Sequence, residues 1–135
     1  MRKIITVGVY DMLHIGHMLL FQRAKALGDK LIVAVQDSDF ILKYKPEATI
    51  INSTEERMYM VNSIKYVDEV VVYRDVDKDL VNFDFDVFVK GPDQNHDGFK
   101  RAEEWCKQHG KEVITLPRTE GISSSLLKEY IKNKS

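Results

Sequence analysis

The sequence predicts an α/β protein: a single-domain, doubly wound, Rossmann-like parallel sheet of about five strands. Three observations carry that prediction. Apolar, β-branched runs of strand length alternate along the chain with segments of helical period. The run at 31–35 (LIVAV) is continuous rather than alternating, as in a strand covered on both faces. At 135 residues with 44% hydrophobic content, the chain fits one compact domain, residues 1–135, and is too short for two.

Taken in order, residues 3–9 read as a strand that runs through Gly8 and Asp11 into a helix with Leu20, Phe21, Ala24 and Leu27 at helical spacing. Gly28 is expected to stop that helix, and 31–35 to return as a parallel strand. The stretch 43–53 reads as a long irregular loop carrying Lys43 and Lys45, of a length often used as a lid. Thr54 is the expected cap of a helix with Met58, Val61 and Ile64 on one face. Strands follow at 69–73 (EVVVY) and 86–90 (DVFVK), then a helix over 99–109 closed by Gly110. A fifth strand at 112–116 and a final helix at 123–132, with Leu126, Leu127, Tyr130 and Ile131 on one side, complete the pattern. In such a sheet ligands sit at the carboxyl ends of the strands, near the topological switch point.

Composition narrows the partners. Lys plus Arg total 20 and Asp plus Glu 21, a formal charge of -1, which gives no general attraction to nucleic acid or to an anionic membrane. Charges interrupt every apolar segment, so no transmembrane helix is expected, and the first residues lack the pattern of a secretion signal. The expected location is therefore cytoplasmic. A lone cysteine, Cys106, shares helical spacing with Phe99, Ala102 and His109 and reads as a half-buried thiol, not a nucleophile.

Two segments carry chemistry. The first is Gly8-Val9-Tyr10-Asp11-Met12-Leu13-His14-Ile15-Gly16-His17, set between a strand end and a helix start. His14 and His17 can both face a phosphate chain lying against that helix N-terminus, where free N–H groups and the dipole favour anions. Phosphoryl and nucleotidyl transfer ask the protein mainly for positioning and charge stabilisation, and imidazole donors suit that work. Structural turn-capping by the two histidines is the bland alternative; a zinc site lacks completing ligands. The second segment, Arg118-Thr119-Glu120-Gly121-Ile122-Ser123-Ser124-Ser125, follows the fifth strand and opens the last helix. Arg118 can fork onto phosphate oxygens, and the serines bring hydroxyls to a helix start, where ordinary capping would also place them.

These motifs resemble those of the cytidylyltransferases of the HxGH superfamily over nearly the whole chain. GVYDMLHIGH is similar to the family's GTFDxLHxGH, residues 65–70 (KYVDEV) to its R-Y-V-D-E-V element, and 118–125 to its R-T-E-G-I-S-T/S-T/S element. The resemblance implies magnesium-assisted, in-line attack by a phosphorylated alcohol, glycerol 3-phosphate first among them, on the α-phosphorus of CTP. His14 and His17 would stabilise the transition state. Nucleotide contacts would come from residues 8–11, 14–17, Asp93 and 118–125, and acceptor contacts from Lys43, Lys45 and Arg57. The resemblance also makes Lys45 and Arg118 catalytic and suggests a homodimer. Val9 stands where the family has threonine, and Lys65 where it has arginine. Other acceptors (phosphocholine, phosphoethanolamine, a sugar phosphate) or ATP would keep the same chemistry. An aminoacyl-tRNA synthetase core is disfavoured by length, and a non-catalytic nucleotide-binding module by the presence of both histidines.

Overall fold

The computed structural model describes residues 1–117. Five strands, β1 (Lys3–Gly8), β2 (Lys30–Gln36), β3 (Glu69–Tyr73), β4 (Val87–Lys90) and β5 (Glu112–Thr115), form one sheet in the order β3-β2-β1-β4-β5. All four pairings are parallel, with Ile5 opposite Ile32 on one side of β1 and opposite Phe88 on the other. The doubly wound parallel sheet read from the sequence is the fold observed.

Helices cover both faces. Ile4, Leu31, Val33, Val35, Val87 and Val89 pack with Phe21 and Ala24 of α1 (Ile15–Lys25) and Val61 of α3 (Thr54–Asn62). Ile5, Val7, Ile32, Ala34 and Phe88 point the other way, onto Val76 of α4 (Val76–Asp79), Leu80 of the following 3-10 turn, and Phe99, Ala102 and Cys106 of α5 (Asp97–Gln108). Strand alternation thus divides one apolar run into two cores, which is why β1 and β2 read as unbroken hydrophobic segments.

The chain moves outward from β1 through β2 to β3, then crosses back to lay β4 on the other side of β1. That reversal puts the switch point between the carboxyl ends of β1 and β4.

Several local expectations change. Gly28 has no left-handed conformation; α1 ends at Ala26, and Gly28 is needed because a Cβ there would sit 2.7 Å from the Arg2 carbonyl oxygen. Ser53, not Thr54, caps α3, in a reciprocal box with Glu56. Lys43 lies in a helix, α2 (Ser38–Tyr44), so the irregular stretch is shorter than expected. Gly110, at φ +71°, does close α5. Cys106 is fully buried, and burial pushes its thiol up to about 11, so it is inert packing. The expected helix at 123–132 lies outside the described residues.

Candidate active site

The turn from β1 into α1 is built from strained backbone. Tyr10 and Met12 both hold positive φ, 55° and 56°, which side chains other than glycine rarely adopt. The strain folds the Tyr10 ring back beneath the strand end, where it is buried edge-on to His17 (5.5 Å) and Phe21 (5.2 Å). Gly8 makes room for it, since a Cβ at Gly8 would lie 2.7 Å from the ring. The Tyr10 ring therefore packs as a floor under His17, and Val9 is the exposed residue of the pair.

His14 and His17 cap the helix they begin. The Gly16 N–H donates to His14 Nδ1 at 3.0 Å, and the His14 N–H donates to His17 Nδ1 at 3.2 Å. This is a capping box in which imidazoles take the places of the usual hydroxyl and carboxylate. A neutral imidazole that accepts at Nδ1 carries its proton on Nε2, so the two backbone donors fix both tautomers. Burial pushes the pKa of His14 down, and burial with the neighbouring His14 pushes His17 down to about 4. Both rings, 4.0 Å apart between centroids, are thus neutral Nε2–H donors at physiological pH. No acidic residue occupies the first turn of α1 to compete with an anion.

Two expected ligands turn out to be braces. Arg57 is fully buried with every donor engaged: Nε to the Asn52 carbonyl, Nη1 to the carbonyls of Val9 and Gln36, and Nη2 to the hydroxyls of Ser38 and Thr54. It has no N–H left for an acceptor phosphate, which corrects its expected role. Asp11 is also buried, and its carboxylate accepts from the backbone N–H groups of Ile51 and Asn52 at 2.9 and 3.0 Å. Asp11 acts from below the site, holding the far end of the lysine-bearing loop to the motif turn.

The remaining residues fall on both sides of the histidines. Lys43, in the last turn of α2, and Lys45, its C-cap, are solvent-exposed on the β2 side. Asp93 is exposed on the turn after β4, on the other side. Arg118 through Ser125 lie outside the described residues. The described residues do not fit a resident metal ion: no three His, Cys, Asp or Glu side chains converge, and Asp11 is committed to backbone donors. Sequence reading passed over Ser38 and Asn52, which with Thr54, read there only as a helix cap, surround Arg57, and it passed over Gln94, which ties β4 to β1. Only the Ser53-to-Glu56 capping box left a readable sequence signature.

A parallel sheet with a pair of imidazole donors at the helix N-terminus of its first strand-to-helix turn is what a nucleotide-binding α/β protein of the Rossmann type presents. Comparison with known proteins narrows that class: the chain matches the family described as Cytidylyltransferase-like over residues 5–130, and it belongs to that family. It is 40% identical to a glycerol-3-phosphate cytidylyltransferase of Bacillus subtilis, covering 97% of this chain and 98% of that protein. A Staphylococcus aureus protein of the same name is 39% identical, over 99% and 98%. An FAD synthase of Thermococcus kodakarensis is 38% identical over 85% of this chain and 79% of its own. Among solved structures, a lipopolysaccharide core biosynthesis protein from Thermoplasma volcanium superposes with a TM-score of 0.70, covering 87% of this chain and 96% of that one, at 23% identity; it supports the fold.

Proposed function

We propose that this protein transfers CMP from CTP to glycerol 3-phosphate, giving CDP-glycerol and pyrophosphate. The observation that carries the reading is the reciprocal histidine cap, which presents two neutral Nε2–H donors at a helix N-terminus. Near full-length likeness to proteins named for that reaction supports the choice of substrates.

A phosphate oxygen of the acceptor attacks the α-phosphorus; the new P–O bond forms as the α–β phosphoanhydride breaks, and pyrophosphate leaves. Charge grows on the phosphoryl oxygens during this step, and donors already in place meet it without reorganisation. His14 and His17 supply that stabilisation. Because their tautomers are held by backbone groups, neither ring has to rotate or gain a proton first. Lys45, with Lys43, would neutralise the acceptor phosphate, and Arg118 with residues 119–125 would close over the triphosphate. Magnesium would enter with the nucleotide, ligated chiefly by phosphate oxygens and water, and lower the charge on the triphosphate.

The reading extends to a cytoplasmic homodimer, to be checked by light scattering. No helix among the described residues is long and apolar enough to cross a membrane. The deciding experiment is pyrophosphate release with magnesium, crossing CTP and ATP against glycerol 3-phosphate, phosphocholine, phosphoethanolamine and a sugar phosphate. Release confined to CTP with glycerol 3-phosphate is the expected result. Preference for another pair would keep the chemistry and replace the substrate, and silence across the panel would overturn the reading.

A further inference from the structure

The irregularities of the turn between β1 and α1 serve one side chain. Tyr10 holds φ at 55°, a conformation that residues other than glycine rarely adopt, and Met12 holds 56° two positions on. Gly8 carries no side chain where a Cβ would lie 2.7 Å from Cζ of Tyr10. Together these fold the Tyr10 ring under the strand end, where it is 6% exposed and meets His17 at 5.5 Å with the ring planes at 84°. A buried aromatic needs none of this on a regular helix, as Phe21 of α1 shows. Backbone strain persists only where the surrounding structure enforces it, and it concentrates at working sites.

His17 is the residue that gains. Among the described residues its imidazole has one hydrogen bond, from the His14 N–H to Nδ1 at 3.2 Å, longer than the 3.0 Å bond that His14 Nδ1 accepts. A single bond to a ring nitrogen fixes the tautomer and leaves the ring free to rock about it. Packing removes that freedom, through the Tyr10 ring and through the His14 ring, whose centroid is 4.0 Å away. The same packing keeps water from the imidazole, and burial with the neighbouring His14 pushes its pKa down to about 4. The titratable groups that bear on it are His14 and the Tyr10 phenol, which burial holds protonated.

We infer that Tyr10 is a positioning residue: its ring, seated by the strained turn and the bare Gly8, holds the His17 imidazole in its Nε2–H donor pose for nucleotidyl transfer. This rests on the transferase reading above. The hydroxyl of Tyr10 is buried beside Thr6 and completes no hydrogen bond of good geometry, so the ring and not the phenol oxygen is the working part.

Substitutions at position 10 separate the ring from the backbone it strains. Tyr10→Leu keeps an apolar side chain without the ring, Tyr10→Gly removes the ring and relaxes the positive φ, and Tyr10→Phe keeps the ring alone. Each variant is followed by NMR titration of the His17 ring and by pyrophosphate release from CTP and glycerol 3-phosphate across pH. In Tyr10→Leu and Tyr10→Gly, kcat should fall about tenfold or more while both KM values stay within about twofold. The His17 pKa should rise by about one pH unit or more, carrying the acid limb of the kcat profile up with it. Tyr10→Phe should restore rate, titration and profile together. Tyr10→Leu fills much of the same volume, so it decides the matter should Tyr10→Gly not fold. An unmoved His17 titration in Tyr10→Leu would overturn the proposal, as would an equal defect in Tyr10→Phe. If the wild type turns over no acceptor, the transferase reading fails, and a raised His17 pKa in Tyr10→Leu, rescued in Tyr10→Phe, still supports Tyr10 as the residue that seats His17.

Discussion

At the scale of single residues, His14 and His17 each hold two roles that substitution can separate. As caps they accept backbone N–H groups through Nδ1; as donors they use Nε2. Asparagine at position 14 keeps an acceptor at the N-cap and removes the distal donor. His14→Asn should therefore retain wild-type stability to within about 1 kcal/mol, while kcat falls about a hundredfold or more. Urea denaturation beside pyrophosphate release checks both halves. A variant that is stable and fully active would remove His14 from the chemistry. The depressed pKa values make a second prediction with a definite sign. His17 titrates near 4 in the fold against 6.5 ordinarily, so the unfolded chain binds the extra proton first. Its contribution to stability is fully present above pH 6.5 and is lost as pH falls toward 4. Denaturation midpoints should drop across that window, and His17→Gln should flatten the drop.

Elements, rather than residues, explain what the sequence showed and what it hid. The five strands were legible as short runs rich in apolar and β-branched residues, buried on both faces in the three central strands. The helix α2 was hidden because seven residues with only Ile41 buried carry too little periodicity to register. Arg57 shows why a motif match can name a position and miss its work. Nothing local announces that three of its donors will reach carbonyls at positions 9, 36 and 52, because those atoms meet only once β1, β2 and α3 are assembled. Removing it should cost more than a surface arginine does. Arg57→Ala would leave those three carbonyls without donors, a loss of about 3 kcal/mol or more. Arg57→Lys, with a compact charge and no planar fork, should recover only part of it. Chemical denaturation measures both, and a wild-type midpoint for Arg57→Ala would show that the brace contributes nothing to stability.

For the molecule as a whole, the sheet order decides which loops can cooperate. The histidine turn follows β1, the lysine-bearing segment follows β2, and the Gln94 turn follows β4, so two loops from neighbouring strands flank a central pair of histidines. The β2-side segment is joined to the centre through Asp11, whose carboxylate accepts the N–H groups of Ile51 and Asn52. The Arg57 Nε holds the Asn52 carbonyl from the opposite side, so the peptides flanking Asn52 are gripped at both ends. That arrangement anchors one end of the loop that begins at Lys45, so if Lys45 meets the acceptor as proposed, Asp11 should influence the acceptor through that loop. The consequence is a non-additive pair. Lys45→Ala should raise the KM for glycerol 3-phosphate, and Asp11→Asn should do so too by loosening the anchor. In the double variant, with Lys45 already gone, misplacing its loop should cost little more. A double-mutant cycle on that KM should accordingly give a coupling of about 1 kcal/mol, with the KM for CTP moving less than the acceptor KM. Strict additivity would mean that Asp11 and Lys45 serve separate purposes, and that the buried carboxylate stabilises the turn without steering the loop.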